Sequence, residues 1–140
     1  MTSEKRVHTT KIACRWSDFD RFGHITNSAY IELAQEARTV MALEELTGAD
    51  KQIPAVFVRK IEVDYMRPIM PDTQAATVDT YVSDIGSTSF TTTQHIKDAA
   101  GNICAEVKAV QVAIDLTTTT PRKITEAEKE LLQKFSAGAA

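Results

Sequence analysis

The spacing of hydrophobic and polar residues divides the chain into an early strand, a long helix, a run of strands and a short final helix. Residues 7–16 favour a strand with Ile12 and Cys14 on one side. From about Thr26 the apolar residues recur every three or four positions, which predicts an amphipathic helix. Its apolar positions are Tyr30, Leu33, Ala34, Ala37, Val40 and Met41. We expect this helix to stop at Gly48.

The segment from 53 to 116 has the pattern of strands throughout. Four stretches rich in β-branched residues are separated by turn residues, which are Pro68 and Pro71, then Gly86, then residues 98–102. No helical pattern lies between these stretches. We therefore expect the four strands to meander as antiparallel neighbours.

A short helix closes the chain, and its start is marked by a capping box formed by Thr125 and Glu128. The order of strand, long helix, four strands and short helix predicts an α+β fold, with the long helix on one face of an antiparallel sheet. A single sheet covered on one face leaves its edges open. Pairing of sheets edge to edge would remove that liability, so we expect a homo-oligomer.

Composition and charge exclude several classes of function. The chain has 140 residues, a formal net charge of −3 and no long basic run, so nucleic acid is not expected as a partner. No apolar stretch approaches the length of a membrane span, and the charged N-terminus lacks a signal core, so we expect no membrane partner and a cytoplasmic location. Cys14 and Cys104 are isolated, and we expect two buried small residues rather than a disulfide.

The candidate chemistry lies in the polar segment just before the long helix, which contains Asp18, Asp20, Gly23 and His24. A helix start presents unpaired backbone N–H groups, here near residues 24–28, and its dipole makes that end mildly positive. Such donors can hold a developing negative oxygen. A carboxylate beside them suits acyl transfer, because it can attack a carbonyl or take a proton from attacking water.

A structural interpretation of the same residues stands beside the chemical one. An aspartate before a helix is usually a cap or a turn former, which applies to Asp18 and Asp20, and Thr26 or Asn27 can cap the helix. His24 can be a turn residue hydrogen-bonded to Asp20. The sequence has no zinc-type ligand spacing, no nucleophile elbow and no phosphate-binding or dinucleotide motif. The residue pattern alone therefore indicates a candidate acyl-transfer loop and does not indicate a metal site.

The stretch "DFDRFGHITNSAYIELAQEAR" resembles the signature of hotdog-fold acyl-CoA thioesterases, the 4-hydroxybenzoyl-CoA thioesterase-like family. The later stretches "VRKIEVDYMRPIMPDT" and "DIGSTSFTTTQHI" resemble that family more weakly, so the resemblance covers nearly the whole chain. It implies a single hotdog thioesterase-like domain over residues 1–140, with a long central helix wrapped by a five-stranded antiparallel sheet. It also implies pairing into homodimers or homotetramers with sites between subunits.

The same resemblance implies hydrolysis of an acyl-CoA thioester to free acid and coenzyme A. Asp20 would be the catalytic carboxylate, as nucleophile or as base for water. The backbone of Gly23, His24 and Ile25 would polarise the thioester carbonyl, with the His24 side chain lining the pocket. Two further residues match positions that shape the pocket and the helix start, and these are Asn27 and Tyr30. Coenzyme A would be part of the substrate, and no separate cofactor is implied.

Two departures from the family pattern leave alternatives open. Some relatives carry basic residues for the coenzyme A phosphates where this chain has the neutral Ser87, Thr88 and Ser89, which can only hydrogen-bond. Phosphate binding would then fall to Arg59, Lys60, Arg122 or Lys123, or an acyl carrier protein would present the thioester. Another branch of the fold places its catalytic Glu in the helix, which makes Glu36 a second candidate. A non-catalytic acyl-CoA binder and a hydroxyacyl dehydratase are the competing functions.

Overall fold

A computed structural model of the protein describes residues 6–47 and 54–136, and a long helix lies on one face of an antiparallel sheet. The elements in chain order are β1 (His8–Ala13), a 3-10 turn (Trp16–Asp18), α1 (Asn27–Glu45), β2 (Val56–Tyr65), β3 (Ala75–Ile85), β4 (Ser89–Lys97), β5 (Ile103–Asp115), β6 (Thr120–Pro121) and α2 (Glu126–Gln133). The α+β class, the five long strands and the helix order expected from the sequence are confirmed. The two-residue β6 was not predicted, and the expected stop at Gly48 lies outside the described residues.

The strand order in the sheet is β1–β3–β4–β5–β2, and every pair is antiparallel. The prediction of a continuous meander is right for β3, β4 and β5 but wrong for β2, which pairs with β5 and forms an edge of the sheet. The connection from Tyr65 to Ala75 contains Pro68 and Pro71, and a long connection with two prolines does not make a tight hairpin.

The apolar face of α1 packs on the sheet through residues of small volume. Ala34 and Ala37 have no exposed surface, and neither do Ala105, Val107 and Ala109 on β5. Short side chains let the helix backbone approach the strands closely, and close packing maximises the apolar surface removed from water. The predicted core positions of α1 are buried, with Val40 partly so.

Arg38 on α1 is buried as well, with 8% of its surface exposed. The apolar pattern gave no indication of this, because arginine is polar and its neighbour Ala37 already satisfies the helical spacing. Nη1 of Arg38 donates to Oε1 of Gln94 at 2.9 Å. Gln94 has no exposed surface and in turn donates to the Ala34 carbonyl at 2.9 Å, so a polar network links the helix to β4.

The predicted capping box of α2 is confirmed. Oγ1 of Thr125 accepts the Glu128 N–H at 3.1 Å, and Oε1 of Glu128 accepts the Thr125 N–H at 2.8 Å. Glu128 also accepts two hydrogen bonds from the Arg122 guanidinium, at 2.8 and 2.7 Å. These contacts position Leu132 and Phe135 in the core.

Replacing Glu128 tests this anchor through its pH dependence. The hydrogen bond from Arg122 lowers the pKa of Glu128 below its ordinary 4.5. Stability from a carboxylate with a lowered pKa is present above the unfolded pKa and is lost as pH falls through the folded one. We expect Glu128→Gln to reduce the free energy of unfolding by ~1 kcal/mol at pH 7, and the difference from wild type to shrink below pH ~4. Urea unfolding at pH 7 and pH 3 measures this.

The matched control is Glu130→Gln, which changes an exposed carboxylate of the same helix. It should leave the free energy of unfolding within ~0.5 kcal/mol of wild type at both pH values. An equal loss for Glu128→Gln at pH 7 and pH 3 would contradict the assigned ion pair.

Candidate active site

The segment 15–26, which we call the acid loop, joins β1 to α1 through a tight turn. A bridge between Phe19 and Ile25 closes it, and the Asp20 N–H donates to the His24 carbonyl at 2.8 Å. Gly23 sits in this turn at a φ of +78°, a conformation that residues with a Cβ rarely adopt. A Cβ there would meet Pro71 at an ordinary 3.7 Å, so backbone conformation rather than crowding explains the glycine.

Asp18 fixes the acid loop to the chain on both sides. It is 3% exposed, and its carboxylate accepts the Arg15 N–H at 2.7 Å and the Arg15 guanidinium at 2.8 Å. Its carbonyl accepts the Thr26 N–H at 2.8 Å, and Arg15 reaches on to Glu32 of α1 at 3.2 Å. Every hydrogen bond of Asp18 among the described residues is therefore with another residue of the acid loop.

Asp20 has a different environment, because it is exposed. Its Oδ1 accepts the Phe22 N–H at 2.9 Å and the His24 N–H at 3.2 Å, while Oδ2 has no partner among the described residues. The expected hydrogen bond between His24 and Asp20 is therefore present, and it is made by the backbone N–H of His24. The arrangement holds the Asp20 carboxylate in one orientation and leaves one of its oxygens available to a reactant.

The backbone donors expected at Gly23, His24 and Ile25 are engaged within the chain. The Gly23 N–H donates to the Asp20 carbonyl at 3.0 Å, the His24 N–H to the Asp20 carboxylate, and the Ile25 N–H to the Ile69 carbonyl at 3.2 Å. Ile25 itself is only 3% exposed. In this structure these three groups hold the turn in shape.

The first helical residues supply donors that are free. Thr26 is the N-cap residue but its side chain makes no capping hydrogen bond, so the expected cap is wrong. The reason is that its Oγ1 lies toward Ser28 Oγ, 3.5 Å away. The Ala29 N–H donates to the Thr26 carbonyl at 3.0 Å, and the N–H groups of Asn27 and Ser28 have no partner within the described residues. An oxyanion at this end of α1 would meet these two donors.

Two tyrosines support the helix start. The buried Tyr30 hydroxyl accepts the Ile69 N–H at 3.1 Å and donates to the Arg67 carbonyl at 3.4 Å. The Tyr65 hydroxyl donates to the Asn27 carbonyl at 3.0 Å, and the two rings meet edge to face at 5.2 Å. Sequence reasoning missed Tyr65, whose only signal was an aromatic residue at the end of a strand. The Tyr30 hydroxyl thus binds the backbone of the connection between β2 and β3 and does not line an open pocket.

The candidate coenzyme A residues lie at the other end of the sheet. Tyr65, beside the acid loop, pairs with Ala105 of β5, whereas the turn 87–89 leads into β4 beside Val112. Arg59 lies in β2 at that same far end of β5. Seven residues of strand correspond to ~23 Å. One chain therefore does not bring Ser87, Thr88, Ser89 and Arg59 together with Asp20.

The basic candidates for phosphate binding differ in their availability. Arg122 is held by Glu128, and Lys60 pairs with Glu62 at 2.9 Å. The exposed basic candidates without an ion pair among the described residues are Arg59 and Lys123. Glu36, the second catalytic candidate, is exposed on α1 and lies ~14 Å along the helix from its start.

Other site types find no support in the part of the chain that the structure describes. Among residues 6–47 and 54–136, no group of three or more His, Cys, Asp or Glu side chains could hold a metal ion. No helix in those ranges is both long and apolar enough to cross a membrane. Cys14 and Cys104 are free thiols, as expected, but only Cys104 is buried and Cys14 is partly exposed. Burial raises the pKa of Cys104 to about 11.

The fold and the acid loop match a known class of proteins. Residues 14–135 match the thioesterase-like superfamily, and the chain belongs to that family. The hotdog fold implied by the sequence motif is thereby confirmed, and thioester hydrolysis is the general activity that the family supports. A comparison of the sequence with curated proteins finds no match.

Solved structures of thioesterases resemble this chain over almost its whole length. A predicted thioesterase of Bacillus stearothermophilus is 27% identical, with a TM-score of 0.81 over 92% of this chain and 96% of that one. A Thermus thermophilus thioesterase complexed with coenzyme A and zinc is 22% identical, with a TM-score of 0.78 over 91% and 97%. A 1,4-dihydroxy-2-naphthoyl-CoA thioesterase of Synechocystis is 14% identical, with a TM-score of 0.76 over 90% and 95%. The last two show likeness of fold alone.

The contrast between the two aspartates of the acid loop gives a stability prediction. Asp18→Asn places an amide N–H₂ against the donors of Arg15, so a buried group loses its partners. We expect a loss of about 1–3 kcal/mol in the free energy of unfolding. Asp20→Asn keeps an acceptor for both backbone N–H groups and should change it by less than ~0.5 kcal/mol. Chemical denaturation of the two variants side by side decides this, and equal losses would refute the separate assignments.

Proposed function

We propose that the protein hydrolyses acyl-CoA thioesters to a free acid and coenzyme A, with Asp20 as the catalytic carboxylate. The observation that supports this proposal is the orientation of Asp20. Two backbone N–H groups hold one of its oxygens, and the other has no partner in the part of the chain that the structure describes. The start of α1, whose first donors are also unpaired within that part, follows within a few residues. A carboxylate and an oxyanion site side by side are the parts that acyl transfer requires.

In the proposed reaction the thioester carbonyl oxygen lies against the N–H groups of Asn27 and Ser28. Negative charge that develops on this oxygen is stabilised by these donors and by the positive end of the α1 dipole. The free oxygen of Asp20 either attacks the carbonyl carbon or removes a proton from the attacking water. If Asp20 attacks, the C–S bond breaks, coenzyme A leaves as the thiolate, and water then hydrolyses the acyl–Asp20 anhydride to the free acid and the Asp20 carboxylate. If water attacks, Asp20 takes a proton from it, the C–S bond breaks, and the departing thiolate receives a proton. Gly23 and His24 hold the turn and border the acyl group.

The location of the coenzyme A residues supports a site shared between two subunits. β2 is a ten-residue edge strand with exposed apolar residues, among them Phe57 at 52% and Tyr65 at 47%. Antiparallel pairing of two β2 strands around a twofold axis would cover this edge. It would also place the far end of one subunit, with Arg59, beside the acid loop of its partner. We therefore propose a homodimer, alone or as half of a homotetramer.

The neutral turn 87–89 favours one alternative substrate. Ser87, Thr88 and Ser89 offer hydroxyl and backbone groups, which suit the pantetheine arm that coenzyme A and acyl carrier protein share. An acyl carrier protein thioester is therefore the second candidate. Residues 1–140 would act as one domain, and the free thiols Cys14 and Cys104 favour a reducing compartment such as the cytoplasm.

The proposed role of Asp20 is tested by Asp20→Asn and Asp20→Ala. We expect each variant to lower kcat by at least ~100-fold on the best acyl-CoA substrate, because a general base or nucleophile contributes that much or more. Thiol release from a panel of acyl-CoAs of different length and aromaticity measures the rate. Glu36→Gln is the control, and its rate should stay within a factor of two of wild type. Wild-type rates in both Asp20 variants would refute the assignment.

The shared site predicts that activity depends on association. Phe57→Asp places a charge on the exposed edge strand, and we expect a monomer whose kcat/KM falls at least ~10-fold. Leu116→Asp is the control, because Leu116 is 70% exposed in the turn after β5 and is not part of the edge strand β2. Sedimentation velocity gives the state and thiol release the activity. A wild-type protein that is fully active as a monomer would overturn the shared site.

A further inference from the structure

A cavity of about 280 Å³ lies at the end of α1 that is remote from the acid loop. Residues of the second half of α1, the sheet and α2 line it, and its walls are mainly apolar. Met41, Phe90, Ala113, Ile124 and Leu132 contribute to them. Arg38 lies eleven residues beyond the first residue of α1, which corresponds to ~16 Å along the helix. Within one subunit, the proposed reaction at Asp20 does not use this cavity.

Arg38 lines this cavity, and no carboxylate among residues 6–47 and 54–136 forms an ion pair with its guanidinium. Arg38 is 8% exposed, and its one hydrogen bond among the described residues is to the neutral Gln94. Its other N–H groups are not sealed inside the protein, because they are not among the buried atoms that lack a partner. These groups therefore keep some accessible surface, and Arg38 is one of the residues that line the cavity. Burial lowers the pKa of Arg38, which is the effect expected of a cation without a carboxylate beside it.

The other charges around the cavity cancel. Arg122 and Glu128 both line it and form a bidentate ion pair at 2.8 and 2.7 Å. The lining residues that the structure describes therefore carry a net charge of +1, located on Arg38. A buried charge is costly unless it is paired. The planar fork of a guanidinium matches the two oxygens of a carboxylate, and in an apolar surrounding that pairing is strong.

We propose that this cavity is a binding site for a small carboxylic acid with an apolar body, whose carboxylate pairs with Arg38. The volume corresponds to roughly nine groups of the size of water, which fits an acid such as hexanoate or benzoate. Gln111 and Thr92 also line the cavity and offer further polar groups. Carboxylic acids are the class of product that thioester hydrolysis releases, but the inference stands without that reaction.

The methionines of the chain provide a test by NMR. Met41 lines the cavity and is 2% exposed, whereas Met66 and Met70 are 53% and 44% exposed in the connection beside the acid loop. We expect hexanoate, added to the full-length protein with ¹³C-labelled methionine methyls, to shift the Met41 signal in a saturable way. Met66 and Met70 should move little. Hexanamide, which has the same shape without the charge, should bind at least ~10-fold more weakly.

Two variants and one control separate the site from general effects. Arg38→Met should remove the preference for hexanoate over hexanamide. If that variant does not fold, Ala42→Phe fills the cavity from α1 and leaves Arg38 in place, and it should abolish the Met41 shift. Asp20→Asn should bind hexanoate as wild type does, whatever its activity. Shifts confined to Met66 and Met70, or equal affinity for acid and amide in the wild type, would overturn the proposal.

Discussion

Close packing between α1 and the sheet is the constraint on which the rest of the structure depends. Ala34 and Ala37 of α1 and Ala105 and Ala109 of β5 have small side chains with no exposed surface, and small residues on both layers allow the helix backbone to approach the sheet. A larger side chain at any of these positions would lift the helix and open the core, because interiors are packed too densely to absorb added volume. The direction of the helix is thereby determined, and with it the places where its two ends meet the sheet.

The first end of α1 is held by contacts that leave its donors exposed. Asp18 ties the acid loop to Arg15 and Thr26, while Ile69, fixed by the Tyr30 hydroxyl, ties it from below. A capping side chain would have occupied the backbone N–H groups at the helix start, and these are the same groups that an oxyanion needs. Leaving Thr26 without a capping bond costs about 1 kcal/mol of helix stability. That cost is understandable where the donors serve a substrate.

The sequence allowed a good prediction of the elements and a partial one of the site. The three- and four-residue spacing predicted α1, and Thr125 with Glu128 predicted the start of α2, because these signals are local. The position of β2 at the sheet edge depends on which strand β5 meets, and no local pattern encodes that choice. The burial of Arg38 was missed for the same reason, since its partner Gln94 is far away in sequence. The separation of residues 87–89 from Asp20 likewise follows from strand register, which pairing across the whole sheet determines.

Charged side chains lie in opposite environments near the two ends of α1. At its start, the anionic Asp20 is exposed to solvent, and backbone N–H groups orient it at little cost of desolvation. In its second half, the cationic Arg38 is largely buried beside an apolar cavity, and its hydrogen-bond partner among the described residues is the neutral amide of Gln94. Burial of an unpaired cation is unfavourable, so packing alone does not explain an arginine at this position, where an apolar residue would be the more stable choice. An arginine here becomes favourable when an anion enters the cavity, since that pairing recovers the free energy of desolvation.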